Sequence, residues 1–186
     1  MNEYGVVLES GAVRFERLLP GPLERVWSYL TESEKRGTWL ASGQLEPRVG
    51  GTADLLFKHS QITSERPPER YREMNDNGWP SKGTVTRYEP MTALAMTWPG
   101  EGDASSEVTF ELTPEGDKVR LVLTHRKLAD KAEMVSVSGG WHTHLGILED
   151  KLAGNPPRGF WSRIEGLEAD YTERFADLPG WGTADA

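Results

Sequence analysis

The chain has 186 residues, of which 37% are hydrophobic and 27% charged, and a formal net charge of -8. That length fits one domain with a sizeable core and a short appendage, and the acidic balance excludes a general polyanion binder, which needs clustered Lys and Arg. With no cysteine, disulfides, thiolate metal sites and cysteine nucleophiles are all excluded.

The predicted elements follow in order. Residues 1–11 lead in, with Val6, Val7 and Leu8 opening a strand, and Val13 to Leu19 alternates as the next. Pro20-Gly21-Pro22 turns the chain, and Pro22 suits the first helical position. Leu23, Val26, Trp27 and Leu30 then recur at i, i+3, i+4 and i+7, which predicts a short helix with Trp27 in the core. Thr31 with Glu34 matches a capping box, so a second short helix is predicted to begin there and to end at Gly37, delivering Trp39. After Gly50-Gly51 a strand carries Ala53, Leu55, Phe57 and His59 on one face. Gln61 to Gly83 is polar and too long for a hairpin loop. It reads as a flap, with a helical turn after Pro67-Pro68 that ends before Asn75-Asp76-Asn77-Gly78, and with Trp79 as a lid residue or an exposed ring.

Four strand-like runs come next. Thr84 to Tyr88 ends at Glu89-Pro90, and Ala93 to Trp98 places Leu94, Met96 and Trp98 on one face before Pro99-Gly100. Ser106 to Leu112 alternates Val108, Phe110 and Leu112 with polar residues, and a hairpin turn at Pro114 to Asp117 leads to Val119, Leu121, Leu123 and His125 on a common face. Strands joined by short turns imply an antiparallel meander, and no strand–helix alternation supports a parallel sheet.

Met134, Val137, Trp141, Leu145, Leu148 and Leu152 then recur at steps of three and four. At ~100° per residue they fall within roughly 80°, which predicts a long helix with one narrow apolar stripe that a concave sheet must cover. Gly139-Gly140 beside Trp141 predicts close backbone approach. Gly154-Asn155-Pro156-Pro157 breaks the chain. A last helix over 159–176 carries Phe160, Ile164, Leu167, Tyr171 and Phe175 as a stripe that docks on the domain or on a second copy, so a homodimer through 159–176 is among the expectations. The division is a main domain over 1–154 and a helical extension over 155–186.

Arg17 to Trp27 as RLLPGPLERVW, Trp39, Gly50-Gly51, Tyr88-Glu89-Pro90 leading to Thr97-Trp98, VRLVLTH at 119–125 and Ser138-Gly139-Gly140-Trp141 stand in this order. Together they resemble the START-like, birch-pollen-allergen-type helix-grip (SRPBCC) superfamily over roughly residues 9 to 154. Within it they look most like bacterial proteins related to the C-terminal domain of the heat-shock-protein-90 ATPase activator. The resemblance implies an α+β helix-grip fold: a curved seven-stranded antiparallel sheet around a long C-terminal helix, with two short helices after the first strand, an extra C-terminal helix, and an apolar cavity between sheet and long helix. It does not imply one function, because members bind lipids, hormones or polyketides, catalyse cyclisation, or regulate partners. The extra N-terminal domain of the eukaryotic co-chaperone has no counterpart here, so that activity is not expected to carry over.

Among polar residues, His125 shares its strand face with Leu121 and Leu123 and is either a core histidine or a contact for a ligand headgroup, kept neutral by desolvation. His142 and His144 sit about 200° apart on the long helix, which argues against a shared metal ion; His144 is placed near the cavity edge. Nucleophile elbows and phosphate-binding loops are absent from the sequence. The expected ligand-binding residues are Trp39, Phe57, Trp98, Leu123, His125, Trp141, His144 and Leu145. The expected role is non-catalytic binding of an apolar or aromatic small molecule, lipid-like or polyketide-like, with no metal, cofactor or nucleic acid. The alternatives are a cyclase or aromatase using His125, and a co-chaperone-like or regulatory protein-interaction module. No apolar run reaches the length of a membrane span and no signal-peptide pattern opens the chain, so a cytoplasmic location is expected.

Overall fold

The computed structural model describes residues 3–99 and 105–181, so Gly100 of the predicted Pro99-Gly100 turn and the last five residues of the 155–186 extension lie outside the described residues. The strands are β1 (Val6–Glu9), β2 (Ala12–Pro20), β3 (Thr52–Phe57), β4 (Trp79–Glu89), β5 (Ala93–Pro99), β6 (Ser105–Glu115) and β7 (Lys118–Arg126). They form one antiparallel sheet in the order β1-β2-β7-β6-β5-β4-β3. The helices are α1 (Leu23–Thr31), α2 (Ser33–Gly37), α3 (Arg72–Asn77), α4 (Lys131–Ala153) and α5 (Trp161–Arg174). Among the described residues no helix is long and apolar enough to cross a membrane.

The alternation read from sequence sets the inner face. Cross-strand register aligns Val13, His125, Val108, Met96 and Val85 in one row over five strands, and Phe15, Leu123, Phe110 and Leu94 in the next. All nine are buried, and such directly opposed side chains are the unit that stabilises a sheet. β4 begins five residues earlier than predicted, because Trp79 to Thr84 pair with β3, Phe57 opposite Trp79 and Thr52 opposite Thr84. Trp79 is 63% exposed on that strand.

Two terminus predictions are corrected. The Thr31–Glu34 capping box does not form: α1 continues through Thr31, whose hydroxyl donates back to the Trp27 carbonyl, and Glu32 precedes α2 without capping it by its side chain. A related arrangement occurs instead at α4, where the Asp130 carboxylate accepts from the Glu133 N–H at 2.8 Å and Glu133 accepts from the N–H of Ala129, one residue before the cap. The flap also differs. A 3-10 turn at Glu69–Tyr71 leads into α3, which runs through Asn75, Asp76 and Asn77 rather than ending before them. Its Asn75 is buried because its side-chain oxygen accepts from the Trp161 indole N–H at 3.1 Å, at the start of α5.

The largest departure concerns α4. A narrow stripe predicts one buried face, yet every residue from Ser138 to Leu148 except Gly140 is buried. The sheet covers one side and α5 the other. Phe160, Ile164, Tyr171 and Phe175 of the α5 segment are buried in the same core as the sheet, and Leu167 is buried beside them, so that apolar stripe is consumed within the chain. Gly139 lets α5 come close, since an added Cβ would stand 3.1 Å from Glu168 Cγ. His142 faces this side, its Nδ1 3.0 Å from the Tyr171 hydroxyl. Gly154, at φ 73, ends α4 in the left-handed conformation.

Candidate functional site

A recess of about 140 Å³ opens between α4 and the mouth of the sheet. Val137, Gly140, Trp141 and His144 border it from α4 at i, i+3, i+4 and i+7, Trp98 from the end of β5, and Leu40 from the segment after α2. Gly140 keeps it open. A glycine inside a helix costs about 1 kcal/mol relative to alanine, and beyond its chain neighbours and its own helix backbone no atom lies within 4 Å of where its Cβ would stand. Close backbone approach, predicted for both glycines, therefore holds at Gly139 and not at Gly140.

The back wall is fixed by a hydrogen-bonded chain. The Trp141 indole N–H donates to His125 Nδ1 at 2.9 Å. His125 Nε2 therefore carries the proton and donates to Ser106 Oγ at 2.7 Å, whose hydroxyl donates to the Trp98 carbonyl at 3.2 Å. His125 is fully buried, and desolvation pushes its pKa down to about 3, so the ring is neutral. Trp98 and Trp141 pack at a tilt of 52° with ring centroids 5.0 Å apart, Phe57 packs edge-on against Trp98 and Phe110 edge-on against Trp141.

The side wall is held from α1 and α2. His144 Nδ1–H donates to the Trp39 carbonyl at 2.6 Å, and the Trp39 indole N–H donates to the Tyr29 carbonyl at 2.8 Å. Burial lowers the His144 pKa to about 4, against the opposing effect of that carbonyl. His59 lies beside it at a tilt, ring centroids 5.6 Å apart, with its pKa pushed down to about 3 by burial first and by His144 second. His59 belongs to a 3-10 turn (His59–Gln61) instead of the strand face, and its Nδ1 is buried without a partner. Arg36, fully buried without a carboxylate among its hydrogen-bond partners, donates to the carbonyls of Ala41 (3.0 Å), Leu30 (3.3 Å), Thr31 (3.1 Å) and Gly43 (2.6 Å). Burial lowers its pKa to about 10. It thereby ties the C-terminal end of α1 to the loop that presents Leu40.

Of the eight residues expected to bind a ligand, Trp98, Trp141 and His144 border the recess. Trp39, Leu123, His125 and Leu145 are buried behind it, and Phe57 backs Trp98. Leu40, Val137 and Gly140 were not in that set. The 137/140/141/144 spacing on the flank of the α4 stripe is the signal that finds the last two. No lining residue is charged. The volume is below the 300–1,000 Å³ or so of drug-sized ligand sites and close to that of an apolar cavity of about 150 Å³ that admits benzene. That is room for about one ring, less than a whole lipid or polyketide occupies.

No curated protein matches the chain in sequence. The solution NMR structure of the protein encoded by BPP1335 from Bordetella parapertussis is 48% identical, with a TM-score of 0.80, over 93% of this chain and 91% of that one. CalU16 from Micromonospora echinospora shares the fold at 22% identity and a TM-score of 0.67, over 94% of each chain. DynU16, described as a putative protein in the dynemicin biosynthetic locus, shares it at 19% identity and a TM-score of 0.62, over 82% of this chain and 51% of that one. The family model described as activator of Hsp90 ATPase homolog 1-like protein matches residues 20–153, which is α1 through α4 with β3 to β7. The chain belongs to the activator of Hsp90 ATPase homolog 1-like family.

Proposed function

We propose that the protein binds one small apolar or single-ring aromatic molecule, without catalysis, in the recess between α4 and the sheet mouth. The observation that carries this is Gly140: a helix-interior position where alanine is the more stable choice, left without a side chain beside open space that two tryptophans frame. Burying about 200 Å² of ring surface at roughly 25 cal/mol per Å² supplies about 5 kcal/mol, which corresponds to a Kd on the order of 0.1 to 1 mM. A larger ligand gains more only if its remainder lies along the protein surface outside the recess.

Replacing Gly140 with Leu tests this. The side chain enters the space the ring would occupy, so toluene binding, followed by tryptophan fluorescence, is expected to weaken at least tenfold. Urea unfolding is expected to show stability equal to or about 1 kcal/mol above the parent, from the gain in helix propensity. Undiminished toluene binding in Gly140→Leu would mean the ligand sits elsewhere.

His125 favours this role over a cyclase. Both its ring nitrogens are hydrogen-bonded and it stands behind Trp141, an arrangement suited to holding the indole and not to exchanging protons with a substrate in the recess.

A further inference from the structure

Of the side chains that border the recess, one holds an uncommitted acceptor. Leu40, Val137 and Gly140 have no polar side-chain atom, both indoles are donors only, and the Trp141 N–H is committed to His125. His144 differs. Its Nδ1–H is committed to the Trp39 carbonyl, so its Nε2 carries a lone pair, and among the described residues no hydrogen bond reaches that atom. It is not among the side-chain nitrogens sealed off without a partner, and His144, 7% exposed, is one of the residues that border the recess. An acceptor placed in an otherwise apolar wall costs affinity for a plain hydrocarbon and recovers it for a donor. The lining carries no charge to neutralise a carboxylate or an ammonium, so the favoured ligand is neutral.

We propose that the occupant is a phenol-like ring whose hydroxyl donates to His144 Nε2; this rests on the binding role proposed above. Toluene and phenol are near isosteres that differ in the donor. In an apolar cavity without an acceptor, phenol falls behind toluene by roughly tenfold or more, because its hydroxyl is buried unpaired.

Titrating the full chain with each ring at pH 7.5 by isothermal calorimetry tests the proposal; phenol is then neutral, phenolic pKa values being about 10. With wild-type protein, phenol is expected to bind at least as tightly as toluene. His144→Asn keeps an amide N–H for the Trp39 carbonyl and removes the acceptor at the Nε2 position. In that variant the phenol-to-toluene affinity ratio is expected to drop roughly tenfold. Phenol trailing toluene by tenfold or more on wild-type protein, or an unchanged ratio in His144→Asn, overturns the assignment while leaving the recess a hydrocarbon site. If neither ring binds wild-type protein, the binding role falls and the phenol assignment with it. The wild-type comparison decides the matter even if the variant does not fold.

Discussion

Lowering the pH from 7 to 5 is expected to remove several kcal/mol of folding stability, far more than surface ion pairs contribute at that pH. All four histidines of the chain are buried. Burial is the leading cause of the depressed pKa in each: about 3 for His59 and His125, about 4 for His142 and His144, from an ordinary 6.5. Above pH 6.5 folded and unfolded chains are both neutral at these positions, and their contribution is fully present. Below it the unfolded chain takes up protons that the folded chain refuses, so stability falls with pH until the folded values are reached and the loss saturates. Linkage sets this at about 2 kcal/mol per histidine between pH 7 and 5, against a total of about 5–15 kcal/mol for a typical domain. Glu149 opposes the trend. Burial raises its pKa despite Arg17 and Arg158, so its contribution is present below its unfolded value and is lost as pH rises through the folded one. Urea unfolding at half-unit pH steps, read by tryptophan fluorescence, checks this. The expected slope approaches the uptake of four protons, and His142→Gln removes about one of them. A flat profile between pH 7 and 5 would show that the histidines are not held neutral.

Arg36→Met is expected to cost at least about 3 kcal/mol, or roughly 6–12 °C in Tm. The methionine fills much of the volume and spares the cost of a buried charge, yet it leaves four carbonyls without their donor. Two of these, Leu30 and Thr31, lie at the C-terminal end of α1, where a cation also meets the negative end of the helix dipole. Arg36→Lys retains the charge but replaces a fixed fork of donors with one flexible group, and about half the loss is expected. The loop bearing Ala41 is tied down by the same guanidinium, so ring binding in the recess is expected to weaken in both variants at temperatures where they remain folded. Thermal melts combined with toluene titration separate the two effects. A melt of Arg36→Met within 2 °C of wild type would contradict the assignment.

Much of this architecture is legible in the sequence because it depends on local periodicity. The alternation in β5, β6 and β7 places Leu94, Val108, Phe110, Leu121 and Leu123 on the inner face, as observed, and the stripe of α5 is buried residue for residue. What local pattern does not reveal is which second surface an element meets. α4 shows one apolar stripe, but α5 covers its far side through Gly139 and His142, and Arg158 ahead of α5 lies over Gly146, residues that signal a neighbour by small size or by a partner elsewhere in the chain. Arg36 carries no sequence signal of burial, because its partners are backbone carbonyls, which any sequence has. His125 and Trp141 are both visible as candidates, yet their mutual hydrogen bond, which turns a suspected ligand contact into a support for the wall, depends on the helix lying across β7. The capping signal is legible too, once Asp is admitted beside Ser and Thr: Asp130 with Glu133 caps α4, whereas Thr31 with Glu34 only matches the pattern.

The binding role requires the space beside Gly140 to admit a ring, which a packing defect would not. A crystal of the wild-type protein soaked with iodobenzene and measured for the anomalous signal of iodine tests it most directly. One strong peak is expected between Gly140 and Trp98, within contact distance of Trp141 and Leu40, and none there in Gly140→Leu. A recess without iodine, alongside ordered iodobenzene at another place on the protein, would contradict it.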